Sequence, residues 1–111
     1  MGLLVASAAR TASGNAGPFA PAEAGQNLAV VVDVTVVSGT SPTMTISVEW
    51  SQDGGTTWAQ GDVADAFNAM TAIGTKARVF AIKGPLFRIV WTISGTTPSF
   101  TFSVRGYVTG A

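Results

Sequence analysis

Few residues in this chain could do chemistry. The carboxylates Asp53, Asp62 and Asp65 fall close together in the sequence and are the first to consider as a metal or acid–base cluster. Histidine and cysteine are both absent. That removes the usual zinc, copper and haem ligands, the commonest general base and the strongest side-chain nucleophile, and it rules out a disulfide framework. Calcium takes about six to eight oxygen ligands, and no loop here has the D-x-[DN]-x-[DN]-G spacing that supplies them. A hydrolase with paired carboxylates needs an acid and a base facing one cleft, and nothing in the spacing sets that up. These aspartates are therefore expected to be solvated loop residues, with no metal, no cofactor and no catalytic set.

The stretch Ser51-Gln52-Asp53-Gly54-Gly55-Thr56-Thr57-Trp58 has the form S-x-D-x-G-x-T-W. It resembles the Asp-box of sialidases and related propellers. In that motif Ser and Asp organise a β-turn through bonds to the backbone, and Trp packs beneath it. The box lies away from the catalytic site in those families, and a propeller needs several blades, which one box in 111 residues does not supply. Ser51, Asp53, Gly55, Thr57 and Trp58 are thus expected to form a tight structural turn between strands.

Trp50, Trp58, Trp91, Phe67, Phe80, Phe87, Phe100, Phe102 and Tyr107 could form a stacking platform for sugar or single-stranded nucleic acid. Most fall at alternate positions within apolar runs, which favours core packing. Arg10, Arg78, Arg88 and Arg105 are scattered, too few for a nucleic-acid groove, and are expected at the rim of contacts. No glycine pair has the context of a nucleotide-binding loop. Six basic residues balance six acidic ones, so no net field steers nucleic acid or an anionic membrane. Charged residues make up 11% of the chain, against roughly 25% in an ordinary soluble domain. Part of the surface is expected to be covered by partner protein, although Thr and Ser also solvate a β surface.

The elements that carry these residues read as strands. Leu28, Val30, Val32, Val34 and Val36 form one face of a first long run. Met44, Ile46, Val48 and Trp50 alternate with Thr43, Thr45, Ser47 and Glu49. Thr75 to Lys83 and Leu86 to Ile93 follow, and Phe100, Phe102 and Val104 alternate with Ser99, Thr101, Ser103 and Arg105. Between Trp58 and Gly74 the pattern weakens. The spacing of Phe67, Met70 and Ile73 suits a helical turn, and an irregular crossover with a brief strand suits it equally. The class is all-β: an antiparallel β-sandwich or jelly-roll-like barrel of about six to eight strands with an extended N-terminal segment.

Val37-Ser38-Gly39-Thr40-Ser41-Pro42-Thr43-Met44-Thr45-Ile46-Ser47-Val48 recurs as Ile93-Ser94-Gly95-Thr96-Thr97-Pro98-Ser99-Phe100-Thr101-Phe102-Ser103-Val104, displaced by 56 positions. Each copy reads as a strand, a five-residue turn and a second strand, a hairpin placed at equivalent points of the fold. The alternative is shared turn chemistry without deeper symmetry. At this spacing the leading strands disagree, because Phe87, Ile89 and Trp91 fall opposite Val31, Asp33 and Thr35.

Residues 1–26 form a separate unit in this reading, ahead of a sandwich at 27–111. Met1 to Ala6 is apolar, too short for a membrane span and without a basic n-region, which points to a strand or arm and to cytoplasmic synthesis. Thr11 to Gln26 is rich in Ala, Gly, Ser and Pro. A structureless connection of that length normally lies across a neighbour. Leu3, Leu4, Val5, Arg10, Pro18, Phe19 and Pro21 are the expected contact residues of this arm.

Ala6–Gly14, the Leu28–Val37 run into Ser38-Gly39-Thr40-Ser41-Pro42-Thr43, the Ser51–Trp58 box and the closing Trp91–Val104 segment together resemble small structural proteins of tailed bacteriophages, particularly those of actinobacteria. The resemblance spans nearly the whole chain and carries no catalytic residue. It implies a capsid decoration (cement) protein that binds the outer surface of the major capsid protein lattice and stabilises the head. Such a protein works on the virion exterior as a homo-oligomer, a trimer first, with neither nucleic acid nor membrane as partner. A minor tail or baseplate protein, or a small receptor- or carbohydrate-binding β domain, is the second expectation. An enzyme is a distant third.

Overall fold

The structure is a computed structural model that describes residues 2–20, 27–60 and 65–109. Strands β1 (Gly2–Arg10), β2 (Gly14–Phe19), β3 (Asn27–Ser51), β4 (Asp65–Ala66), β5 (Gly74–Ala81) and β6 (Leu86–Thr109) form one antiparallel sheet, and the protein is all-β and sandwich-like. In the weak stretch after Trp58 the described residues are irregular apart from the brief β4. Met70 makes a bridge to Met44 there, and Ile73 is exposed.

Strand β3 has 25 residues and would span roughly 80 Å if straight, at about 3.3 Å per residue. The longest dimension of the molecule is 41 Å, so β3 and its partner β6 must bend. Both bend at the repeated Ser-Gly-Thr motif. The two halves of each strand thereby lie in facing layers, and the T-shaped contact of Trp91 with Phe102, both on β6, spans the gap at 5.5 Å between ring centroids.

The motif therefore does not form two hairpins. Ser38 pairs with Ser99, Thr40 with Thr96 and Thr43 with Ser94, so the two copies cross each other in the middle of one continuous ladder. Gly39 (φ 109°) and Gly95 (φ 123°) hold the bend. A Cβ at Gly39 would sit 2.6 Å from the Thr97 carbonyl oxygen, and one at Gly95 would sit 2.8 Å from that of Ser41. The two contacts are reciprocal, and Ser41 (φ 48°) and Thr97 (φ 46°) match as well. Glycine and proline punctuate a chain locally. Whether the chain turns back or continues through the bend depends on the strand opposite, which here is the other copy.

A pseudo-two-fold axis thus passes through the Thr40–Thr96 pair. Between Val34 and Val36 the register shifts, leaving Thr35 as a bulge. One extra residue reverses the faces of a period-two strand. Val36 accordingly turns outward to 53% exposure, departing from the expected Leu28–Val36 face, and Val37 packs on the core instead. The bulge also removes the mismatch between the repeats. With Thr35 counted as an insertion, Val30, Val32 and Val34 become the counterparts of Phe87, Ile89 and Trp91. Their pairings with Gly106, Val104 and Phe102 then mirror those with Trp50, Val48 and Ile46.

The symmetry extends outward. β1 and β2 pair with the two halves of β6, and β4 and β5 pair with the two halves of β3. One core joins the layers: Leu28, Val30, Val32 and Val34 with Met44, Ile46, Val48 and Trp50 from β3, and Phe87, Ile89, Trp91, Phe100, Phe102 and Val104 from β6. Each large side chain so buried contributes about 1.5–3 kcal/mol.

The described part of the expected arm is largely sheet. Gly14–Phe19 is an edge strand on β6, from Gly14 opposite Trp91 to Phe19 opposite Phe87. An edge strand needs only one partner and little alternation, so its Ala/Gly/Pro composition hides it.

Candidate functional site

The Ser51–Trp58 turn is built as its residue types require. The Ser51 hydroxyl accepts from the Gly55 N–H at 2.9 Å and donates to Asp53 Oδ1 at 2.9 Å, and the Thr57 N–H donates to the same oxygen at 2.8 Å. The Thr57 backbone, the Thr57 hydroxyl and Ser51 together hold the Asp53 carboxyl below its ordinary pKa. Ser51 is buried, Gly54 and Gly55 both have positive φ, and Trp58 holds the Arg88 guanidinium 4.7 Å above its ring.

Beside this turn lies a cleft of about 370 Å³, lined by Trp50, Gln52, Asp53, Thr57, Gln60 and Lys83 among others. Trp50 is buried, and the Lys83 ammonium lies over its ring at 5.7 Å from the centroid. Its indole N–H donates to Asp65 Oδ2 at 2.7 Å, and the Lys83 ammonium donates to both Asp65 oxygens at 3.0 and 2.9 Å. Asp65 is thus a structural anchor for the short β4. Asp62 lies outside the described residues, and among those described no three metal-ligating side chains come together. Also among them, no helix is long and apolar enough to cross a membrane.

The aromatic residues sort as alternation favours: Trp50, Trp91, Phe67, Phe80, Phe87, Phe100 and Phe102 are buried, and Tyr107 is exposed. Of the expected contact residues, Val5 is in the core and Leu4 packs against it. Phe19 packs against the Phe87 ring at 5.5 Å. Arg10 sits over Trp91 and Phe102 at 5.0 and 4.9 Å and donates to the Ala6 and Ala8 carbonyls. Pro21 lies outside the described residues. Among the described members of the set only Leu3 and Pro18 are exposed.

The surface missed by sequence reasoning is the outer face of the layer β1–β6–β3–β5. Its rungs run Val79–Ala29–Tyr107 and Ala77–Val31–Arg105–Leu3, with Thr75–Asp33–Ser103 beside them. Leu3 is 57%, Val79 57% and Tyr107 46% exposed. The opposite layer differs. Under the pseudo-dyad the Val31–Arg105 pair corresponds to Arg88–Glu49, which is an ion pair at 2.6 Å flanked by Thr45, Ser47 and Thr92. One face therefore carries apolar Leu3, Ala29, Val31, Ala77, Val79 and Tyr107 around a single Arg105, with Thr75, Asp33 and Ser103 beside them, and the other is centred on the Arg88–Glu49 ion pair.

Sheet edges are the usual alternative route to association, and here they are guarded. The Arg10 guanidinium occupies two carbonyls of the bulged β1. Pro18 removes an N–H from β2. Lys76 and Arg78 line β5, and Arg78 Nη1 bonds the Ala66 carbonyl at 2.9 Å. β4 is only two residues long.

No family model matches the chain, and no curated protein or solved structure is significantly similar to it. What the protein does has to be argued from this surface.

Proposed function

We propose that the chain is a capsid decoration protein of a tailed phage, which binds the outer surface of the major capsid protein lattice and stabilises the head. The observation that carries the reading is the largely apolar face of Leu3, Ala29, Val31, Ala77, Val79 and Tyr107 around Arg105 on a molecule whose edges are guarded. A sheet face of this kind, apolar around one cation, suits burial against another protein surface. The low, balanced charge and the resemblance of the turn-and-strand phrases to those of phage structural proteins support the same reading. In it the protein acts by binding, without catalysis, nucleic acid or membrane, and copies cluster symmetrically on the shell, a trimer first.

Deleting residues 1–26 is no clean test, because it removes β1 and β2 and so much of the fold. Substitutions on the face are. Val31→Asp and Tyr107→Asp should abolish co-sedimentation with capsids assembled without the protein, while Thr92→Asp on the polar face should leave it intact. Equal binding by all three variants overturns the assignment of the face.

The cleft beside the Ser51–Trp58 turn favours a second reading, a minor tail or baseplate domain that contacts a receptor glycan. Copy number in the virion separates the two: hundreds of copies fit a head lattice, and tens or fewer fit a tail.

A further inference from the structure

Every strand pairing among the described residues joins the first half of the chain to the second. β1 and β2 bond only to β6, β4 and β5 only to β3, and β3 and β6 bond to each other. Neither β1–β3 nor β4–β6 contains a ladder of its own. Each half is an open template that the other half completes, and the connection between them begins with the Ser51–Trp58 turn, closed by the Trp50–Ala59 bridge.

We infer that this architecture fits a second copy of the same chain as partner, the two copies exchanging halves with the Ser51–Trp58 turn as hinge. In the exchanged pair, β1–β3 of one copy meet β4–β6 of the other. All five ladders and the whole core are rebuilt, and only the hinge changes conformation. The balance between the forms then rests on two terms. The first is the set of turn bonds around Ser51 and Asp53, which exist only when the chain folds back on itself. The second is the effective concentration of tethered halves, on the order of millimolar for a short linker. The turn is thus the lock that keeps the chain single. Opening it costs little besides these bonds, because the rest of the native structure is recovered in the exchanged pair. The pair would carry the apolar face twice, but the inference stands on connectivity and does not depend on what that face binds.

The test uses the full chain. Wild type is unfolded in guanidinium, refolded at steps from about 10 µM to about 1 mM to bracket that effective concentration, and sized by light scattering after dilution. The mass should double at the upper end and stay doubled on dilution, since reversal requires unfolding. Deleting residues 53–57 should yield the double mass at every concentration. Asp33→Cys with Ser103→Cys, opposite each other on β3 and β6 in a chain otherwise free of cysteine, reads the topology. Oxidised after folding, the pair should crosslink within one chain in the single form and between chains in the exchanged form. A doubled species whose disulfides all lie within one chain overturns the inference. So does a folded, single-mass deletion variant. If the deletion variant does not fold, the wild-type series decides, and a single mass throughout it overturns the inference.

Discussion

Gly39→Ala and Gly95→Ala probe the crossing on which the fold turns. At Gly39 a methyl group would lie 2.6 Å from the Thr97 oxygen and 2.9 Å from Pro98 Cα, and at Gly95 it would lie 2.8 Å from the Ser41 oxygen and 3.1 Å from Pro42 Cα. These are backbone atoms in the centre of the ladder, so relief requires the two strands to part. The positive φ adds about 1–3 kcal/mol of strain, and overpacking of this kind adds about 1–3 kcal/mol more. Each substitution should therefore cost about 2–6 kcal/mol, against a total stability on the order of 5–15 kcal/mol for a domain of this size. The pseudo-dyad makes a sharper demand, that the two costs be similar. It also demands that the double variant lose less than their sum, because the first substitution already parts the strands that the second would push. Gly54→Ala is the control: its φ is also positive but nothing lies within 4 Å, so only the strain of about 1–3 kcal/mol remains. Urea unfolding followed by tryptophan fluorescence gives all four values. A Gly39 variant within 0.5 kcal/mol of wild type, or a large difference between the Gly39 and Gly95 variants, would refute the reciprocal crossing.

Three other substitutions test neighbouring parts of the account. The Asp53 carboxyl is held below its unfolded value, so it adds stability above pH ~4 that is lost as pH falls through its folded value. Asp53→Asn should flatten that acid limb in a pH series of urea midpoints, and an unchanged limb would count against the turn bonds. Lys83→Met leaves buried Asp65 with only the Trp50 indole as donor; with Lys83 itself partly exposed, the loss should be about 1–3 kcal/mol by calorimetry. Arg10→Ala removes two ring contacts and the carbonyl cap of β1, and should cost about 1–2 kcal/mol and speed amide exchange in residues 6–9 before anywhere else.

What could be read from the sequence was whatever depends on period two. Met44 to Trp50 and Phe100 to Val104 alternate because one side of each meets the core, and that pattern survives in any sandwich. The Ser51–Trp58 turn was legible because its bonds are local. What was hidden depended on partners far along the chain. Ser38–Pro42 reads as a hairpin turn until Ser94–Pro98 is placed across it. The Thr35 bulge leaves no mark in composition, yet it decides that Val36 faces water and Val37 the core. The apolar outer face escaped notice because Leu3, Val31, Val79 and Tyr107 come from four strands, and only pairing assembles them. Apolar residues in a terminal segment suit partner contact and core packing alike, and in Val5 and Phe19 the apolarity serves the core.

The ladder between β3 and β6 also governs how the protein is made. Asn27 pairs with Ala81 on one side and with Thr109 on the other, so at about 5–20 residues per second its first partner follows after roughly 3–11 s and its second after roughly 4–16 s. Until β5 is made, Leu28–Val34 is an uncoupled, β-branched, nearly uncharged run, the composition most prone to wrong pairing. Nothing in the first half can fold around it, because β1 and β2 need β6 too. The complete sheet therefore closes late on the ribosome. Yield should depend on what shields this segment while translation finishes, and slower translation of the second half should cost more soluble protein than slower translation of the first.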